Sequence, residues 1–121
     1  MELCKKDRQK ALLNKLGIFL KMNETYQFLD YDKIVGLTAA SNYTTFYFNY
    51  THNIYISSKT LLTFARQLPG ELFWRVHRSH LVNQLFIKTI GNSTNQFLSL
   101  KNIEKTPIAR RKYSWLINFI C

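Results

Sequence analysis

The chain has 121 residues, 46% of them hydrophobic, and its 17 Lys/Arg against seven Asp/Glu give a formal net charge of +10. That length fits one domain with a core of its own, and the cationic excess suits a polyanion, nucleic acid first and an anionic membrane surface second. No secretory segment and no apolar run of roughly 18 residues occurs, so neither a signal peptide nor a membrane span is expected, and the location expected is cytoplasmic.

From Asp7 to Leu16 the composition is helical, with Ala11, Leu12, Leu13 and Leu16 among Lys and Arg, and Gly17 as a stop. Residues 1–16 therefore read as a helical lead or linker. Gly17 to Asp30 reads as two short strands around an Asn23-Glu24 turn, followed by a polar break to Lys33. Ile34 to Leu37 forms the next strand, and Ala39-Ala40-Ser41-Asn42 turns into a strand from Thr44 to Tyr50. In that strand Phe46, Phe48 and Tyr50 share one face while Thr45, Tyr47 and Asn49 share the other. Thr51-His52-Asn53 leads into Ile54-Tyr55-Ile56.

Ser57 or Ser58 is positioned to cap a helix whose apolar side is Leu61, Leu62, Phe64, Ala65 and Leu68, ended by Pro69-Gly70. Phe73, Trp74 and Val76 supply β-prone bulk before a polar turn, and Leu81-Val82 resumes the apolar pattern. Strands follow near Phe86–Ile90 and Phe97–Leu100, with Gly91-Asn92-Ser93 between them. A last helix runs from about Ala109, with Tyr113, Leu116, Ile117 and Ile120 as a core-facing stripe. The pattern is that of a mainly β domain with two short helices.

The charge is unevenly spread. Residues 1–32 carry six cations and five acids, whereas residues 33–121 carry eleven cations against only Glu71 and Glu104. An ordinary solvated surface mixes both signs, so the second region stands out. Within it Arg110, Arg111 and Lys112 occupy the first turn of the last helix, where the macrodipole disfavours each exposed cation by about 0.3–1 kcal/mol. The free backbone N–H groups there suit an anion, and cations at that place make sense if a phosphate or a guanine edge takes up their charge.

Four segments carry a family resemblance: YDKIVGLTAASNYTTFYF from Tyr31, KTLLTFARQLPGELF from Lys59, RVHRSHLVN from Arg75 to Asn83, and EKTPIARRKYSWL from Glu104. In this order and spacing they resemble the LytTR family, DNA-binding domains of bacterial transcription regulators that serve as response-regulator output domains in two-component systems. The resemblance covers about residues 17–121. It implies stacked antiparallel β-sheets with two short α-helices and DNA-reading loops along one edge.

The resemblance also implies roles. Arg110 matches the family's base-reading arginine at the start of the last helix, although Ala109 stands where many members have Ser. Arg78 holds a second base-contact position, and a bidentate Arg on guanine discriminates by roughly 1–3 kcal/mol. The Ser41-Asn42-Tyr43-Thr44 turn is the third, with Asn42 suited to adenine and Tyr43 to phosphate or a thymine methyl. Ser79, Arg111, Lys112, Lys59 and Lys105 are expected on phosphates, and His77 and Asn83 are expected to brace the loop. The implied partner is double-stranded DNA bearing paired direct repeats, with an upstream receiver or sensor as signalling partner.

Two other functions compete. A single-stranded nucleic-acid module would stack bases on Phe46, Tyr47, Phe48 and Tyr50, and a protein-docking module would use the N-terminal helix. Catalysis is not expected: His77 and His80 lack a nearby acid or Cys, no carboxylate pair suits acid–base work, and no Gly-rich phosphate loop occurs. Cys4 and Cys121 lack neighbours at metal-ligand spacing, so no metal, cofactor or small-molecule substrate is expected.

Overall fold

Short apolar–polar alternations bounded by Asn, Ser and Gly turns fold into strands, and a computed structural model describes residues 16–120. In chain order these are β1 (Gly17–Met22), β2 (Thr25–Asp30), a 3₁₀ turn at Tyr31–Lys33, β3 (Ile34–Ala40), β4 (Tyr43–Phe48) and β5 (Tyr55–Ser57). Helix α1 (Leu61–Gln67), β6 (Phe73–His77), β7 (His80–Asn83) and a second 3₁₀ turn at Gln84–Phe86 follow. The chain continues through β8 (Ile87–Ile90), β9 (Phe97–Leu100), β10 (Ile103–Pro107) and helix α2 (Arg110–Ile120). The expected lead helix lies outside the described residues except for Leu16.

The strands form three antiparallel sheets: the β1–β2 hairpin, a five-stranded sheet in the order β5-β4-β3-β7-β6, and a three-stranded sheet in the order β10-β9-β8. The five-stranded sheet lies in the middle because its strands are apolar on both faces. Ile34, Leu37, Phe46, Phe73 and Leu81 join Ile18, Leu20 and Leu29 of the hairpin and Leu61, Phe64 and Leu68 of α1 in one core. Val35, Trp74, Val76 and Val82 point the other way, against Leu98, Leu100, Ile108 and Leu116. Near-continuous runs such as Ile34-Val35 and Leu81-Val82 are what a doubly covered sheet requires. At Gly36 a Cβ would stand 3.0 Å from the Leu81 carbonyl oxygen, so this crossing of layers leaves little room for a side chain.

Several details differ from the sequence expectation. The α1 cap is Thr60, whose Oγ1 accepts the Thr63 N–H at 3.3 Å, because Ser57 is drawn into β5 opposite Thr44. Leu62 is exposed, since a seven-residue helix on a sheet buries only one narrow stripe. Residues 103–107 form a strand, β10, that was not anticipated; its apolar signal is interrupted by Glu104 and Lys105 and carried by Thr106. On α2, Leu116 is fully buried while Ile120 is exposed, and Trp115 and Phe119 pack instead around Trp74, at ring centroid distances of 5.3 and 5.2 Å. Among the described residues no helix is long and apolar enough to cross a membrane.

Candidate nucleic-acid interface

Antiparallel pairing decides where the candidate residues meet. β3 pairs β4 through Ala40↔Tyr43, leaving Ser41 and Asn42 as a two-residue turn. It pairs β7 through Thr38↔His80, and the Ala39 N–H donates to the Ser79 carbonyl at 2.9 Å. The β6–β7 turn, Arg78-Ser79, therefore emerges beside the β3–β4 turn, at the same end of the sheet. β6 leads to that end as well, and its Val76 carbonyl accepts the Ala109 N–H at 2.7 Å, which fixes the start of α2 there. Asn42-Tyr43, Arg78 and Arg110 thus form a row along one sheet end, with neighbouring strands about 4.8 Å apart.

Each tip is braced. Ser41 holds the left-handed backbone conformation at φ 58°, which a non-glycine residue keeps only when its surroundings enforce it. Asn42 and Tyr43 are exposed. In the second tip the Ser79 N–H donates to His77 Nδ1 at 3.1 Å. Arg75 Nη2 donates to the Arg78 carbonyl at 2.7 Å, so the Arg78 guanidinium projects from a turn held on both sides. The rings of His77 and His80 meet edge to face at 5.4 Å. His80 Nδ1 is buried and has no hydrogen-bond partner among the described residues. Burial, and secondarily the charge of His77, hold the His80 pKa below its ordinary value.

Behind the tips Asn83 is wholly buried. Its Nδ2 donates to the carbonyls of Tyr31 (3.0 Å) and Ile34 (2.9 Å), and its Oδ1 accepts the Leu85 N–H at 3.0 Å. It ties β7, which follows the Arg78-Ser79 turn, to the entry of β3, which leads into the Ser41-Asn42 turn.

The phosphate candidates divide. Arg111 and Lys112 are exposed on the first turn of α2, which contains no acid, and Lys112 Nζ lies 6.0 Å from the Trp115 ring. Ser79 is in the Arg78 turn. Lys59 joins the same end of the sheet, since its carbonyl accepts from Thr44 Oγ1 at 2.8 Å and its N–H donates to Ser57 Oγ at 3.1 Å. Lys105 does not join the row: it is exposed on β10 of the three-stranded sheet, its ammonium 4.4 Å from the Phe97 ring centroid. Of the four aromatics a single-strand binder would use, Phe46 and Phe48 are in the core, Tyr47 is half-buried and Tyr50 is exposed.

Two supports escaped the sequence reading. Arg75 was legible only as one more donor, although its place three residues before the carbonyl it binds was a local signal. The link from Tyr113 Oη to the Gly91 carbonyl, 2.9 Å, spans 22 residues and left no signal at all. Among the described residues no group of three or more His, Cys, Asp and Glu could hold a metal ion.

Comparison with known proteins agrees with this fold. The family model described as the LytTr DNA-binding domain matches residues 24–120. The sensory transduction protein LytR of Staphylococcus epidermidis is 30% identical over 89 residues, which span 74% of this chain and 34% of that relative. The chain therefore spans about a third of the length of that curated relative. A solved LytTr DNA-binding domain from a Bacillus cereus protein, described as a methyl-accepting/DNA response regulator, has the same fold. It matches with a TM-score of 0.70 at 23% identity, covering 87% of this chain and 96% of that one.

Proposed function

The chain belongs to the LytTR family of DNA-binding domains, and from that premise we propose that it recognises a specific duplex sequence in transcription regulation through the three tips at one end of its central sheet. The observation that carries this is the row itself: an amide, a phenol and two guanidinium groups on braced turns, flanked by Lys59, Arg111 and Lys112. Arg78, Arg110 and the Asn42-Tyr43 turn contact base edges in successive major grooves, where donor and acceptor patterns distinguish all four base pairs. Ser79, Lys59, Arg111 and Lys112 hold phosphates, which set register and affinity but not sequence. Lys105 contributes at most a peripheral phosphate contact from the neighbouring sheet. His77 and Asn83 act through the backbone they hold.

The domain works in the cytoplasm on paired direct repeats, one copy on each. A receiver or sensor partner supplies the signal, and residues 1–16 lead into the DNA-binding unit. The test is fluorescence anisotropy with a duplex selected from a randomised pool, its scrambled form and the corresponding single strand, each at two salt concentrations. Preference for the selected duplex is expected to survive the higher salt. Lys112→Ala is expected to weaken both duplexes alike and to lower the salt slope by about 1. Equal binding of duplex and single strand would refute the reading.

A further inference from the structure

A cleft of about 470 Å³ opens between β1 of the hairpin and β5 at the edge of the central sheet. Among the described residues neither strand pairs on the side facing the other, because β1 pairs β2 and β5 pairs β4. Leu20 and Phe64 belong to the core beneath it, and Tyr26, Tyr43, Tyr55 and Ile56 line its walls. Among the described residues the two charged side chains in its lining are both lysines, Lys21 and Lys59, and the lining holds no carboxylate. The Lys21 ammonium lies 5.9 Å from the Tyr26 ring centroid, and the Tyr55 hydroxyl donates to the Lys21 carbonyl at 2.7 Å, which pins β1 across the cleft.

This lining has an evident complement. Apolar and aromatic surfaces favour a flat hydrophobic body, and two ammonium groups in a lining without carboxylates favour a negative charge on it. The volume is within the range of small-molecule sites, about 300–1,000 Å³. Ser57, Ser58 and Gln67 add polar side chains at the rim. We propose that the cleft between β1 and β5 binds a small planar organic anion, an aromatic carboxylate or sulfonate, and that its occupancy is coupled to DNA binding.

The coupling runs through two residues. Tyr43 lines the cleft and directly follows Asn42 of the first tip, and Lys59 lines the cleft while standing at the phosphate-facing end of the sheet. A bound anion draws the Lys59 ammonium inward and holds the Tyr43 ring, removing both from DNA. This coupling rests on the proposed DNA reading; the anion site itself does not.

The probe is 8-anilinonaphthalene-1-sulfonate, titrated by fluorescence beside the uncharged N-phenyl-1-naphthylamine, on the full chain. One saturable site is expected, with the neutral compound binding roughly fivefold or more weakly. Lys21→Gln and Lys59→Gln are each expected to weaken the sulfonate about twofold to fivefold without changing the melting temperature. Equal binding of charged and neutral probes, or no loss in either variant, would overturn the site. In the second arm the sulfonate is expected to release the selected duplex from the wild-type chain, and at the same concentration to release clearly less from Lys21→Gln. An occupied cleft with unchanged duplex affinity would overturn the coupling. A chain that binds no duplex would refute the DNA reading instead, while the fluorescence titration still decides the site.

Discussion

At the scale of single residues, Asn83 and His80 show how little of a side chain's task lies in its neighbours along the chain. That Asn83 braces a loop was readable from its place after Leu81-Val82, but the carbonyls it serves, at Tyr31 and Ile34, lie 52 and 49 residues away. Sheet pairing, not local pattern, brings them together. Asn83→Ala removes two buried hydrogen bonds to carbonyls and one from an N–H, and a loss of about 2–4 kcal/mol is expected in urea unfolding. His80 makes a different prediction. Its pKa is held below the ordinary 6.5 by burial and then by His77, with Arg75 and Arg78 the other charged groups of the turn. Just below pH 6.5 the unfolded chain therefore binds more protons than the folded one. The stabilisation from a neutral His80 is complete above about pH 6.5 and is lost as pH falls through the folded value. The melting temperature of the wild type is expected to fall more steeply between about pH 7.5 and 5.5 than that of His80→Phe.

At the scale of elements, alternation and turn chemistry located most strands, and they failed where tertiary context overrode them. Thr60 caps α1 because Ser57 is occupied in β5. β10 was missed because Lys105 faces outward and the buried Thr106 is not apolar. The stripe on α2 was half right: Leu116 is central, but Trp115 and Phe119 turn toward Trp74, which no local period encodes. How α2 meets the sheets matters for Arg110. The Ala109–Val76 bond anchors the start of α2, and the Tyr113–Gly91 bond ties its first turn to the β8–β9 loop. Tyr113→Phe removes that second tie. A stability loss of about 1 kcal/mol is expected from chemical denaturation.

At the scale of the whole molecule, the doubly covered central sheet is what makes the site. Apolar residues on both faces fix β3, β4, β6 and β7 rigidly, so the turns at one end have defined positions relative to one another. The basic character of the chain and the four family-like segments were legible in its sequence. The juxtaposition of Asn42, Arg78 and Arg110 rested there on resemblance alone, because residues 68 positions apart are brought to one sheet end by register and by the Ala109–Val76 bond. Lys105 illustrates the limit: as one cation among eleven it looked like the others, and only the topology sets it on a different sheet.

The central claim is that this row of tips reads bases, and the most direct test is to select binders from a randomised duplex pool with the wild-type chain, Arg78→Ala and Arg110→Ala side by side. The expected result is a defined motif for the wild type. Each variant should lose discrimination at its own base position, by roughly 1–3 kcal/mol, while the rest of the motif persists. Identical motifs from all three proteins, or no motif from the wild type, would contradict it.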